Sequence, residues 1–489
     1  MENLHLLTAT QVRDMLQNNT ITVEEYARSL LGRIEERNDT VKAWAFLGMP
    51  TQPGFPTCGG PQAGQDQVAI LRAAGALIIG RTTPTEFPVA NSGSDTANPH
   101  DPTRTPGGSS CGSAAAVADY QVPLSLGGQI AGGIIRPAAF TGVFAMKPTY
   151  LGFPMEGPKG DAPTVDAHEF FAYIDALGFF ARSVEDLQLL ADVFHILDGS
   201  VVIPDGGLLT RIPDGGAPTH IPLKGLEGLS VALLKTPMWP QAGPSTAAAM
   251  DKAAAILRNR GAQVAEVSLP PEAKDLVGLD RVQKVVVSGK AHISRTINRR
   301  ACRRDEEIRS LVEIDDNYTE KERMKVFDTY ARMRDFIRKG LVGKASVDAE
   351  NGGLDAKYTR KEKKQRMKVF DTYAKMRAMV RKLAEDYSVI LAPSAVDEAP
   401  LGLGDVGTAT FNTLWAASLF FSLHWYLFHL SLTPQQGFQM PVVQIPAFVG
   451  VNGMPVGISL VAPSFHDYRL LRVSKMLGEA LMAEGDWKL

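Results

Sequence analysis

The chain has 489 residues, of which 45% are hydrophobic and 21% are charged, and its formal net charge is −2. These values are ordinary for a globular protein, and the near-neutral charge argues against nucleic acid as a partner, because nucleic-acid binding needs a strongly basic face. The three cysteines, Cys58, Cys111 and Cys302, are widely spaced and form neither a metal-binding pattern nor a disulfide framework, so we expect neutral thiols in a reducing compartment.

The first 47 residues predict two helices. Thr8 with Gln11, and Thr22 with Glu25, have the spacing of capping boxes. No basic segment followed by an apolar core precedes them, so a secretory signal is not expected and the predicted location is the cytoplasm.

Helical and strand patterns alternate along much of the remaining chain. A helix around 68–74 ends at Gly75 and is followed by a predicted strand at 76–79. Further on, a strand at 229–234, an Ala-rich helix at 245–261 and a strand at 263–269 predict a βαβ unit. This alternation favours an α/β protein over an all-α one.

The central stretch, 106–149, contains two glycine-rich turns. The first, Gly107 to Ser110, leads into a helix of small residues. A predicted buried strand at 122–126 precedes the second turn at 127–133. Such turns can direct backbone N–H groups at a reacting carbonyl. Alternatively, the glycines only permit close packing of the backbone.

This stretch resembles the signature of the amidase-signature family, whose members hydrolyse amides with a Ser-Ser-Lys set. The residues that fall in step with the family pattern without a gap are Gln129, Ala131, Gly132, Ile135, Arg136, Pro137, Ala138, Ala139, Phe140, Gly142, Val143, Lys147, Pro148 and Thr149. The resemblance implies an α/β fold in a single domain over residues 1–489, with a mixed twisted sheet covered by helices on both faces and the signature stretch at its centre. It also implies that Ser109 is the bridging serine, whose peptide bond is cis. The backbone N–H groups of Ile130, Ala131 and Gly132 would form the oxyanion hole.

Two of the three catalytic groups of the family are missing. Gly133 occupies the position of the nucleophilic serine, so an acyl-enzyme cannot form there. About 35–40 residues of the family pattern, including the lysine that serves as base, are absent between Leu47 and Gly48, judged from the resemblance. Neither Lys42 nor Lys147 matches that lysine.

Other segments also depart from the family. A charged, helical region at about 281–382 contains a duplication, in which residues 323–331 recur as 366–374. An apolar segment at about 418–438 is interpreted as an insertion foreign to the fold, with an interfacial membrane anchor as the alternative. Residues after Thr149 are either a specificity loop or a solvated linker. His100 and Asp101 are predicted to be loop residues, and His424 and His429 are badly spaced for a metal, so no metal or cofactor is expected.

Three functional hypotheses follow from these residues. In the first, the chain is by family a hydrolase of C–N bonds in a small molecule, with hydrolysis lost or crippled. In the second, the amidase scaffold binds or modifies a small molecule without hydrolysing it. In the third, it is a non-catalytic interaction partner. The expected partners are a small-molecule amide or related substrate and a second copy in a homodimer, with neither nucleic acid nor membrane.

Overall fold

The computed structural model describes residues 3–48, 63–85, 93–129, 131–149, 176–194, 201–202, 210–211, 225–269, 378–416 and 440–488. Several sequence predictions lie outside these ranges. They concern Ile130, Cys58, Cys302, His424, His429, the duplicated segments, the possible specificity loop and the apolar insertion.

Helices and strands alternate through the described ranges. The helices are α1 (Ala9–Gln17), α2 (Val23–Val41), α3 (Ala63–Ala73), α4 (Cys111–Ala118), α5 (Ile135–Thr141), α6 (Val184–Val193), α7 (Pro244–Asn259), α8 (378–386), α9 (Thr413–Ala416) and α10 (Asp467–Glu484). The strands are β1 (Trp44–Leu47), β2 (Gly80–Thr82), β3 (Leu124–Gln129), β4 (Phe144–Lys147), β5 (Ala176–Ala181), β6 (Val201–Val202), β7 (Thr210–Arg211), β8 (Ser230–Lys235), β9 (Gln263–Ser268), β10 (Val389–Pro393), β11 (Val442–Val449) and β12 (Pro455–Val461).

One large mixed sheet carries the fold. Its eight strands lie in the order β3-β5-β4-β11-β12-β10-β8-β9. The pairs β10–β8 and β8–β9 are parallel, and the other neighbours are antiparallel. The parallel β8–β9 pair, joined through α7, confirms the predicted βαβ unit. Separate two-stranded sheets are formed by β1 with β2 and by β6 with β7.

Helices cover both faces of this sheet. Successive side chains of a strand point to opposite faces, so two neighbouring residues of β11 pack against different helices. On β11, Val443 packs in a core with residues of α6, α7 and α10. Its neighbour Val442 packs in a second core with residues of α4, α5, α8 and α9. The predicted fold class, a mixed sheet between two helical layers, is therefore confirmed.

The first two helices begin where the sequence predicts. The Thr8 hydroxyl accepts a hydrogen bond from the Gln11 N–H, and the Gln11 side chain accepts one in return from the Thr8 N–H. Thr22 and Glu25 form the same reciprocal pair at the start of α2. Both predicted capping boxes are therefore confirmed. A capping box pairs the unpaired N–H groups at the start of a helix with side chains three residues away, so the local sequence is enough to predict it.

Three sequence predictions about strands are wrong in position. The expected strand at 76–79 is not one; the strand is Gly80–Thr82, because only these residues find a partner in β1. Strand β3 continues through Gly127 and Gly128, which the sequence assigns to the second turn, since they pair with Gly178 and Leu177 of β5. The signature stretch is also not wholly central: among its described strands, β3 lies at the edge of the large sheet and only β4 lies inside it.

Candidate functional site

The structure brings Ser109 and Gly133 together. The Ser110 N–H donates to the Gly133 carbonyl at 3.2 Å, which fixes the first glycine-rich turn against the second. A Cβ built on Gly133 would lie 2.8 Å from Ser109 Oγ. The Gly108–Ser109 peptide bond is cis. Among the described residues the Ser109 hydroxyl has no hydrogen-bond partner.

The second turn presents a run of backbone donors. The N–H groups of Ala131, Gly132 and Gly133 donate to no acceptor among the described residues. The next two N–H groups, of Ile134 and Ile135, both donate to Gln129 Oε1, at 2.9 and 3.0 Å. The buried Gln129 side chain thus caps α5 and leaves the three preceding donors for something else. Consecutive unpaired N–H groups before a helix favour a carbonyl oxygen or an anion.

The glycines of the two turns permit a close approach of α4 to β3. The Gly128 N–H donates to Ser110 Oγ at 3.2 Å. A Cβ on Gly127 would lie 2.5 Å from the same hydroxyl oxygen, and a Cβ on Gly133 would overlap the carbonyl oxygen of Gly128. Gly107 has a φ of +86°, a backbone conformation that favours glycine. These contacts support the interpretation that the glycines permit close packing, while the binding of a carbonyl by the turn stays a prediction.

Arg136 joins the site to a distant loop. Its guanidinium donates to the Gly108 carbonyl at 2.7 Å and to the Gly407 carbonyl at 2.6 Å. Burial lowers the pKa of Arg136 to about 10, and the Asp405 carboxylate opposes that shift. The side chain therefore stays charged at neutral pH and holds the peptide bond just before Ser109.

The residues around 408–412 form a rim beside the turn. A Cβ on Gly132 would lie 2.7 Å from the Ala409 Cβ and 3.4 Å from Asn412 Nδ2, so this rim packs directly on the turn. Ser109, Gly128, Ala131, Thr408 and Ala409 are all partly exposed, whereas Gly132 and Gly133 are buried. The residues around the unpaired N–H groups are therefore partly accessible to solvent.

Of the two lysines considered from the sequence, Lys42 is exposed and Lys147 is buried. Lys42 ends α2 with a φ of +52°, and its carbonyl accepts from the Thr96 hydroxyl. Lys147 is buried in β4 and donates to the Pro148 carbonyl at 2.9 Å. Burial lowers the pKa of Lys147 to about 8, with the Asp467 carboxylate opposing the shift.

His100 and Cys111 have structural surroundings. His100 Nε2 lies 2.8 Å from the Thr141 carbonyl, and its ring meets the Trp487 ring edge-to-face. Burial lowers the pKa of His100. The Cys111 thiol is buried against the Thr83 carbonyl, and burial raises the pKa of this thiol. Asp101 accepts from Thr103 and Arg104 within its own loop.

Within the described ranges, no group of three or more His, Cys, Asp or Glu side chains is arranged to hold a metal ion. None of the helices in the part of the chain that the structure describes is both long and apolar enough to cross a membrane.

Sequence reasoning missed four contributors to this site. Gln129 and Arg136 were matched to the family pattern without a role, and Ser110 and the 408–412 rim were not singled out. The rim is separated from Gly132 by more than 270 residues of sequence, and no local pattern signals that contact.

Known proteins resemble this chain over most of its length. The sequence profile of the family described as Amidase matches residues 46–471. The chain is 29% identical over 410 residues to the A subunit of glutamyl-tRNA(Gln) amidotransferase from Symbiobacterium thermophilum, covering 83% of this chain and 74% of that protein. The protein of the same name from Streptococcus suis is 31% identical over 415 residues, with the same 83% and 74% coverage.

A solved structure shows the same fold. The structure of 6-aminohexanoate cyclic dimer hydrolase superposes with a TM-score of 0.61 at 20% sequence identity, covering 98% of this chain and 97% of that one.

Proposed function

Because the chain belongs to the amidase family, we propose that it binds a small amide at the turn 131–133 and does not hydrolyse it by the family's Ser-Ser-Lys route. The observation that carries this proposal is the combination of three consecutive unpaired N–H groups at 131–133 with a glycine at the position of the nucleophile. Ala131, Gly132 and Gly133 offer N–H groups that are unpaired among the described residues, next to the partly exposed residues Ser109 and Gly128. Gly133 has no side chain to attack the carbonyl that these donors would hold.

The catalytic groups that the chain lacks support binding of an amide without its hydrolysis. Hydrolysis through an acyl-enzyme needs a nucleophile, a group that relays its proton and a base that removes it. Of these, only the relay position, Ser109, keeps its side chain. A serine hydroxyl without a base stays protonated at neutral pH and is a weak nucleophile.

The experiment measures binding and turnover separately on the full chain. Benzamide is titrated by calorimetry, and ammonia release is followed over hours with the same samples. We expect saturable binding without ammonia release above the uncatalysed rate. Ammonia release by the parent that disappears in Ser109→Ala would contradict the proposed loss of hydrolysis.

A matched pair of variants tests the location of binding. Gly132→Ala inserts a Cβ that meets Ala409 at 2.7 Å and must displace the turn, so benzamide binding should weaken at least tenfold. Gly404→Ala lies in the loop leading to the same rim, where an added Cβ meets nothing within 4 Å, and should bind like the parent. Equal binding by both variants would move the site away from the turn.

A second candidate is a role within a protein complex. The relatives from Symbiobacterium thermophilum and Streptococcus suis are named as subunits of an amidotransferase. In this hypothesis the amidase scaffold assembles with a different protein, and a homodimer is the simpler alternative. Light scattering of the purified chain, alone and after co-purification from its native cells, distinguishes a monomer, a homodimer and a heteromeric complex.

A further inference from the structure

Residues 3–21, which we call the strap, pack in a small apolar core of their own. The strap contains the 3₁₀ helix Leu4–Leu6, helix α1 and the turn before α2. The small core is distinct from the two cores that line the large sheet. Its members are Leu4, Leu7, Val12, Met15, Leu16 and Ile21 of the strap, Tyr26 and Leu30 of α2, and Ile79. Within the described residues, only Ile79 belongs both to this small core and to a core of the sheet.

Helix α2, on which the strap packs, is fastened to the rest of the molecule independently. Arg33 and Arg37 of α2 both donate to the buried Asp119 carboxylate, at 3.3 and 3.0 Å. Val41, the last residue of α2, belongs to one of the two cores of the sheet. Helix α2 therefore has its own anchors and does not depend on the strap to stay in place.

The Arg182 side chain, just after β5, holds the first part of the strap. Its guanidinium donates to the His5 carbonyl at 3.1 Å and to the Leu7 carbonyl. It also donates to the Val122 carbonyl at 2.8 Å and lies over the Tyr120 ring. Because the last two partners lie outside the strap, the guanidinium stays in position when the strap is away.

The Asp186 side chain, in α6, holds the first turn of α1. Its carboxylate accepts from the Ala9 N–H, the Thr10 N–H and the Thr10 hydroxyl, each at 2.9 Å. A carboxylate at this place pairs N–H groups that the helix leaves free and meets the positive end of the helix dipole. We call Arg182 and Asp186 the clamp. Beyond the clamp, the hydrogen bonds of the strap to other described parts of the chain go to Ser29 of α2.

Closing the clamp removes two charges from water. Asp186 and Arg182 are only 0% and 6% exposed. Burial raises the pKa of Asp186 and lowers the pKa of Arg182, so both charged forms are disfavoured while the strap covers them. Detachment of the strap returns water to both side chains, which offsets part of the hydrogen bonds that are lost. Segments with few links to the main core open before the core does.

We propose that the strap detaches from the folded molecule as one unit and that the clamp sets how readily it detaches. Detachment uncovers the apolar side chains of Tyr26 and Leu30 on α2. It leaves the large sheet in place, because the strap takes no part in either core of the sheet. This conformational device is independent of the proposed binding at the turn 131–133.

Hydrogen exchange of the full chain under native conditions, read by mass spectrometry, tests the proposal. The amides of α1 should exchange faster than those of β10, β11 and β12, because the strap opens without unfolding of the sheet. Asp186→Asn keeps the shape of the side chain but removes its charge and one acceptor. Exchange in α1 should then accelerate roughly tenfold, the size expected for a lost hydrogen bond to a charged group, while exchange in the sheet stays unchanged. Asp192→Asn, at an exposed position of the same helix, is the matched control and should exchange like the parent.

Thr10→Val tests the same contact from the side of the strap and leaves the clamp itself intact, so it serves if Asp186→Asn folds poorly. It removes only the hydroxyl that donates to Asp186 and should accelerate exchange in α1 severalfold. Equal exchange in α1 and in the sheet strands of the parent would show that they unfold together and would overturn the strap. Equal acceleration of α1 and the sheet by Asp186→Asn, or no acceleration of α1 by either variant, would overturn the role of the clamp.

Discussion

Gly133 lies so close to its neighbours that its missing side chain cannot simply be put back. A Cβ at this position would overlap the Gly128 carbonyl oxygen and lie 2.8 Å from Ser109 Oγ. Gly128 lies at the end of β3 and Ser109 in the first turn, which the Ser110–Gly133 hydrogen bond ties to the second turn. The backbone has therefore closed over the space that a serine would need.

Gly133→Ser should consequently fail to create amide hydrolysis. The new hydroxyl would have no base, and groups that act as one catalytic unit recover little activity when one is restored alone. Ammonia release from benzamide should stay at the uncatalysed rate in the parent, in Gly133→Ser and in Gly133→Ala. Turnover that appears in Gly133→Ser but not in Gly133→Ala would reveal an unrecognised base.

Lys147 is a buried amine whose charge costs stability. Its ordinary pKa of 10.5 is lowered to about 8 by burial, which means that the unfolded chain holds the proton more tightly. At pH 7 this difference corresponds to roughly 3 kcal/mol against folding, less the bond to Pro148. The cost disappears as pH rises from about 8 through 10.5, because the folded protein then loses the proton that burial disfavours.

Lys147→Met should therefore raise the free energy of unfolding by about 1–3 kcal/mol at pH 7. Its advantage over the parent should shrink as pH approaches 10. Denaturant titration at pH 7, 8.5 and 10 measures both effects. Lys235→Met, at a partly exposed lysine paired with Glu266, is the control and should be within about 1 kcal/mol of the parent. Destabilisation of Lys147→Met at pH 7 would indicate a structural need for the ammonium.

At the scale of elements, α5 depends on a residue of the preceding strand. The N-cap residue of α5, Ile134, has no side chain that can accept a hydrogen bond, and Gln129 Oε1 accepts from the first helical N–H groups in its place. Since α5 starts beside the candidate binding turn, this side chain sets both the start of the helix and the donors left unpaired.

Gln129→Leu should leave two buried N–H groups without an acceptor and cost about 2–4 kcal/mol. Thermal unfolding and hydrogen exchange at Ile134 and Ile135 measure the effect, and exchange should accelerate there first. Gln188→Leu removes only the surface bond to Asp192 and should change the unfolding free energy by less than about 0.5 kcal/mol. Equal losses of unfolding free energy in the two variants would contradict the proposed capping of α5 by Gln129.

In the whole molecule, Trp487, near the end of the described residues, packs on the C-terminal end of α5. Trp487 Nε1 donates to the Gly142 carbonyl at 3.0 Å, and the Trp487 N–H donates to the Ala447 carbonyl at 3.3 Å. The His100 ring lies between this tryptophan and the Thr141 carbonyl. Residues about 390 positions apart therefore share one buried contact.

This contact should make stability depend on pH through His100. Its pKa is lowered from 6.5 by burial, so the unfolded state binds the proton first. The stabilising contribution of neutral His100 is complete above pH 6.5 and is lost as pH falls below it. His100→Gln keeps a donor for Thr141 and does not titrate. Between pH 7 and 5 the parent should lose more stability than this variant in urea titrations, and parallel losses would contradict the assignment.

The sequence alone determined the parts of this protein that depend on neighbouring residues. The capping boxes at Thr8 and Thr22 and the βαβ unit of β8, α7 and β9 follow from spacing and periodicity. The ungapped signature also predicted the α/β fold class and the loss of the nucleophile at Gly133. These features need no knowledge of what lies across the sheet.

Tertiary structure decided everything that required a partner distant in the chain. The strand at 80–82 exists because β1 pairs with it, and β3 extends through two glycines because β5 lies alongside. The rim at 408–412 meets Gly132, and the Thr410 hydroxyl reaches Gln241, only after the sheet has assembled. The physical reason is that the pairing of strands and of buried polar groups is fixed by which surfaces meet, and a local pattern carries no information about its distant partner.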